Sequence, residues 1–259
     1  AREFVDGGWN VQDIQKKILT SATYQQTSRY RSELLRKDPE NRLLARGARL
    51  RLPAEMIRDN ALSIGGLLDR NRATGGPSVF PYQPTGLWEN KAFYCRTQYE
   101  QSQGSDLYRR SLYTFWKRSV PNPGLMTFDA PDREVCTVKR ERTVTPLQAF
   151  VTLNEITYVE ASRVFAERIL RKAGPTFNDR IKYAYQVALA RLPSSAEQEI
   201  IKRTYQKILK NYQDNRKMAL ALVSIGQNPR IKELDLIQHA AWTGVASMIL
   251  NLDETITKE

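Results

Sequence analysis

Asp129, Asp132 and Glu134 stand close together, interleaved with and followed by Arg133, Lys139, Arg140 and Arg142. Paired carboxylates are what acid/base hydrolysis of a glycoside requires, provided both face one cleft at a suitable separation. The same residues can instead close carboxylate–guanidinium pairs and serve only to hold a loop. Proximity in sequence does not separate these roles. The catalytic residues are therefore unassigned, with Asp129, Asp132 and Glu134 as candidates.

Just upstream, Arg109, Arg110, Lys117 and Arg118 are mixed with Tyr108, Tyr113, Phe115 and Trp116. In single-strand nucleic acid platforms, rings stack on bases and cations hold phosphates. The same composition would bind sugar rings or pack internally as cation–π pairs. No RNA-recognition, helix-turn-helix or zinc-finger pattern accompanies it, which disfavours nucleic acid. The binding candidates are Arg109, Arg110, Trp116, Arg118, Arg133, Arg140 and Arg142.

Other reactive groups are scarce. His239 is the only histidine, which removes most histidine-based metal sites and the ordinary Ser-His-Asp triad elsewhere. It shares a helix face with Trp242 and reads as a packing residue. Cys95 and Cys136 are far apart and show neither zinc-ligand spacing nor a Cys-x-x-Cys-His haem attachment run, so no metal is expected. They could pair in an oxidising compartment if geometry allowed. Gly75-Gly76-Pro77 lacks the strand and helix that flank a phosphate loop and reads as a turn. There is no Gly-x-Ser-x-Gly nucleophile elbow.

Composition narrows the class. With 259 residues, 41% of them hydrophobic, the chain can bury a core and is not a disordered segment. A net charge of +12 favours polyanions or an acidic neighbouring surface, unless the arginines are spent on the 28 carboxylates. No run of about 18 apolar residues suggests a membrane span. Residues 1–8 read as the last turns of a helix stopped by Gly7 and Gly8, so a longer polypeptide with an upstream part is expected.

The elements around these residues are mostly helical. Asn10 caps a helix to about Ser21, and Asp38-Pro39-Glu40 predicts another start. Pro53 opens a helix bearing Met56, Ile57, Ala61, Ile64 and Leu68 on one face. From 69 to about 106 the periodicity dissolves among Tyr82, Trp88, Phe93, Tyr94 and Tyr99, aromatics expected to pack on the core. Residues 107–120 alternate like an extended segment, with at most a short ribbon, for which 134–140 is the candidate partner. Thr145-Pro146 predicts the longest helix, reaching Gly174-Pro175, with Leu147, Val151, Asn154, Tyr158, Ala161 and Phe165 as a buried seam. A helical pair (179–191 and 195–212), a stretch at 216–225 and a last helix at 236–250 complete the chain. Ala240 and Gly244 would allow close approach by another helix.

Leu107-Tyr-Arg-Arg-Ser-Leu-Tyr-Thr-Phe-Trp-Lys-Arg and Phe128-Asp-Ala-Pro-Asp-Arg-Glu, with Cys136-Thr-Val-Lys-Arg-Glu-Arg-Thr-Val-Thr-Pro-Leu-Gln-Ala, carry a resemblance. So do Leu19-Thr-Ser-Ala-Thr-Tyr-Gln-Gln, Asp38-Pro-Glu-Asn-Arg-Leu-Leu, Ala54-Glu-Met-Ile-Arg-Asp, Gly75-Gly-Pro-Ser-Val and Ala241-Trp-Thr-Gly-Val-Ala. Over nearly its whole length the chain resembles the planctomycete-type C-terminal domain of unknown function. The resemblance implies an exported protein with a second uncharacterised domain and often a c-type cytochrome domain upstream. It implies an extracytoplasmic location, periplasmic or cell surface, and places any c-type haem on a segment outside this chain. It supplies no catalytic residues.

The resulting expectation is a mainly α fold: one helical domain over 1–259, with helices at 1–68, an irregular or extended insert at 69–144 and a helical bundle at 145–259. Its function would be that of a C-terminal module, not catalytic on its own, packing against or completing a site with an upstream domain of the same polypeptide. Two rivals stand beside it. One is a carbohydrate-active or redox enzyme subunit using the 107–142 cluster. The other is a polyanion-binding module, with an anionic glycan preferred over nucleic acid as partner.

Overall fold

Asn10 illustrates how locally the helices of this protein are specified. Its side chain accepts the Asp13 N–H at 3.1 Å and starts α2 (Val11–Thr20). The computed structural model describes residues 1–29, 31–71, 75–88 and 98–258. They are mainly helical, with a two-stranded antiparallel ribbon. They divide into two compact units, residues 1–51 with 257–259, and residues 52–256.

In the first unit, α1 (Arg2–Asp6) stops at Gly7 and α3 (Ser32–Lys37) stops at Asp38. Lys17 pairs with Asp13 on its own helix (2.8 Å) and ties α2 to α1 through Glu3 (2.6 Å). The helix expected to begin at Asp38 does not form. The Asp38 carboxylate instead accepts the N–H groups of Arg42 (2.8 Å) and Leu43 (2.7 Å), folding a turn upon itself. A short acidic side chain offers the backbone that alternative whenever no apolar face pulls the segment into a helix. The ribbon pairs β1 (Leu50–Arg51) with β2 (Thr257–Lys258).

The second unit holds α4 (Ala54–Gly65), α5 (Pro123–Thr127), α6 (Pro146–Asn154), α7 (Ile156–Lys172), α8 (Phe177–Leu189), α9 (Ser195–Asp214), α10 (Arg216–Val223), α11 (Leu236–Leu250) and α12 (Asp253–Ile256). Its core centres on α7 and α11, with α4 against α7 and with α9 and α10 against α11. Gly65 makes the α4–α7 approach possible, since a Cβ there would lie 2.9 Å from the Ala161 carbonyl oxygen. Gly244 plays the same part on α11, where a Cβ would meet the Ile208 side chain at 3.0 Å. The helix starts follow their capping signals: Thr176 with Asp179, and Ser194 with Glu197, close reciprocal capping boxes on α8 and α9.

Three expectations change here. The single helix from Thr145 is two helices, because Glu155 adopts an extended backbone (ψ 137°) and caps α7 with its own carbonyl. The break turns α6 so that Leu147, Phe150 and Leu153 are exposed, while Tyr158, Ala161 and Phe165 of α7 remain buried. Asn154 accordingly lies outside the core, its amide on the Phe150 carbonyl at 2.8 Å. The 107–120 segment is two 3₁₀ turns, Gly104–Tyr108 and Ser111–Tyr113, with one parallel bridge from Val79 to Thr114. It forms no ribbon with 134–140. On α4, Met56 faces solvent whereas Ile57, Ala61 and Ile64 are buried as expected.

Candidate functional site

The segment after Leu107 is held by two adjacent residues of α4. The buried Arg58 guanidinium donates to the carbonyls of Leu107 (2.7 Å) and Arg109 (3.1 Å) and to Ser111 Oγ (3.0 Å). Asp59 Oδ1 accepts the Ser111 N–H at 2.7 Å and its hydroxyl at 2.6 Å. Planar donors and a carboxylate thus replace the sheet partners that an irregular backbone lacks. Arg109, fully buried, donates to the carbonyls of Gly75 and Pro77 and lies over the Tyr113 ring at 4.7 Å.

Beyond this clamp the aromatics gather. Phe80 stacks on Phe115 with ring centroids 5.0 Å apart, and Trp88 meets Phe80 and Tyr99 edge-on. The Lys117 ammonium lies 4.5 Å from the Trp88 ring. The Trp116 indole N–H donates to the Asp132 carbonyl at 2.8 Å, and Arg133 covers its ring at 4.5 Å. A recess of about 590 Å³ opens between Trp88, Phe115 and Trp116, with Lys117, Arg118, Ser119 and Glu134 completing its lining. Phe93, Tyr94 and Cys95 lie outside the described residues; Cys136 is exposed.

The candidate carboxylates separate into different roles. Asp129, at φ 60°, accepts the Thr143 N–H (2.8 Å) and hydroxyl (2.9 Å) and so clasps the two ends of the loop between them. Asp132 caps the Glu134 N–H at 3.0 Å. Glu134 lines the recess. Arg140 reaches Glu55 of α4 at 2.8 Å, while Arg110, Arg118 and Arg142 are exposed. The recess therefore brings together Trp116, Arg118 and Glu134, with Arg133 stacked behind Trp116.

Residues 132–147 are exposed throughout, so the dense segment is hidden only in its first half. Val135, Val138 and Val144 face solvent there. They lead into the outer face of α6, where Leu147, Phe150 and Leu153 follow at helical spacing; Ile156, the first residue of α7, is exposed as well.

A charged web inside the core was not anticipated. Glu160, fully buried on α7, accepts the hydroxyls of Tyr108 (2.8 Å) and Tyr82 (3.0 Å) and the Asn228 N–H (2.7 Å). Arg163, one turn on, pairs with Glu167 at 2.6 Å and donates to the carbonyls of Ile225 (3.2 Å) and Asn228 (2.6 Å). His239 Nε2 sits 3.3 Å from the Arg163 carbonyl and 3.6 Å from Glu167. Burial pushes the His239 pKa down to about 4 and raises that of Glu167. The web pins residues 225–231 to α7. Its signal was the spacing of Glu160, Arg163 and Glu167, which puts all three on one helix face beside buried Ala161 and Phe165.

The profile of the family described as PSD1, Protein of unknown function (DUF1553), matches residues 1–205. The chain belongs to that family. Neither the curated proteins nor the solved structures give a match. The DUF1553 match includes the Arg58–Asp59 clamp, the aromatic recess, the exposed loop and α6–α8, and it stops within α9.

Proposed function

We propose that this protein is a docking module, packing through the loop 132–144 and the outer face of α6 onto an upstream domain of the same polypeptide. The observation that supports this most directly is the exposed apolar row Leu147, Phe150 and Leu153 on α6, with Val135, Val138, Val144 and Ile156 exposed in the flanking sequence. Apolar side chains grouped on an exposed helix face are costly to leave in water and are characteristic of interaction sites. Lys139 and Arg142 lie in the same loop, so the complementary surface is apolar with acidic groups to meet them.

The polypeptide, on this reading, is exported and cytochrome-linked, and works outside the cytoplasm. The residues here do not suit covalent haem attachment, because there is no Cys-x-x-Cys-His run and the one histidine is buried against the Arg163 carbonyl. A c-type haem would belong to the upstream part. Co-expression of the upstream domain with this chain, followed by sedimentation analysis, tests the reading. A stable complex that Leu147→Ser with Phe150→Ser abolishes is the expected result; separate sedimentation of the two, or a complex indifferent to those substitutions, would refute it.

A further inference from the structure

Apart from docking, the recess at Trp88, Phe115 and Trp116 has the makings of a ligand site. Its volume of about 590 Å³ lies inside the roughly 300–1,000 Å³ range of small-ligand sites, and its walls are mainly aromatic with few polar groups. Phe115 remains 40% exposed although its ring stacks on Phe80. Trp88 is buried, and its indole N–H has no hydrogen-bond partner among the described residues.

The chemistry of the lining restricts the ligand. Flat ring faces suit a planar base or the C–H face of a pyranose. Among the described lining residues Arg118 is the exposed cation, while Lys117 lies over the Trp88 ring and Glu134 is the acid. Arg118 can hold one carboxylate, but this lining gives no continuous cationic track for a chain of phosphates. Glu134 and Ser119 can instead accept hydrogen bonds from hydroxyl groups. We infer that the recess binds an acidic saccharide, with a uronate ring on Phe115 and Trp116, its carboxylate toward Arg118, and its hydroxyls toward Glu134 and Ser119.

Calorimetric titration of the whole chain with trigalacturonate, its methyl ester and an oligothymidylate tests the assignment. Saturable binding of trigalacturonate is expected, at least tenfold tighter than the ester. Phe115→Ala should weaken it at least tenfold with circular dichroism unchanged. Arg118→Glu, an exposed change that leaves the core intact, should remove the preference for the acid over the ester. Absence of trigalacturonate binding, equal affinity for the ester, tighter binding of the oligothymidylate, or indifference to Arg118→Glu would each overturn the inference.

Discussion

Gly226 stands so close to the Glu160 carboxyl group that an added Cβ would lie 2.2 Å from Cδ and 2.3 Å from Oε1. Its φ of 95° is also one that side-chain-bearing residues rarely adopt. The loop after α10 can thus lie over a buried carboxylate only because this position has no side chain. Gly226→Ala should destabilise the protein by about 2–4 kcal/mol, combining backbone strain with a displaced buried acid. Urea unfolding checks this; a midpoint unchanged from the wild type would contradict it.

The clamp on α4 makes a second prediction. Arg58→Met removes three hydrogen bonds and leaves buried carbonyls and Asp59 without their cation, at a cost of about 3–5 kcal/mol. Hydrogen exchange should localise the damage to residues 107–115 before α7 and α11 are affected. Arg58→Lys should rescue little, because an ammonium cannot span the carbonyls of Leu107 and Arg109 as a planar fork does. Uniform loss of protection across the second unit would argue against a local clamp.

His239 sets a dependence on acidity. Its folded pKa of about 4 lies below the ordinary 6.5, so between these values the unfolded chain binds the extra proton. Stability is then constant above about pH 6.5 and falls by up to about 1.4 kcal/mol per pH unit on acidification toward pH 4. Glu167, raised by burial, opposes this at the acid end, since the folded protein takes up its proton first. Burial is the main cause of the low His239 value, and the charges of nearby Arg163 and Arg230 add to it. His239→Gln should flatten the profile between pH 6.5 and 5, measured as unfolding free energy at each pH. An unaltered slope would remove His239 as its source.

The exposed stripe predicts a null effect on folding. Leu147→Ser with Phe150→Ser should alter stability by no more than about 0.5 kcal/mol per site in the isolated chain, because neither side chain is part of the core. A large loss in thermal unfolding would mean that α6 needs those residues for its own packing.

Legibility in the sequence followed the range of the forces involved. Helices with a capping residue and a clear apolar period, such as α2 and α9, were readable because cap and period are local. The break at Glu155 was not, since no proline or glycine marks it and its cause is the packing of α7 on α4 and α11. Nothing local in the sequence singles out Arg58 and Asp59, because the carbonyls and amides they reach lie some fifty residues later. Asp129, Asp132 and Glu134 were conspicuous as a group, but backbone geometry sends them to separate tasks: a loop clasp, a turn and the recess. Trp116, Arg118 and Glu134 do converge. What brings them together is the seating of the 107–116 segment by α4, and that depends on distant contacts.

The α11 helix carries one more implication. It supplies Trp242, Val245 and Ile249 to the middle of the core, yet it begins thirty-one residues past position 205, the last residue of the family match. A protein trimmed to the matched stretch would keep the recess and the exposed loop and lose the rod against which α7 is seated. The matched stretch and the mechanically self-sufficient one therefore have different borders in this chain.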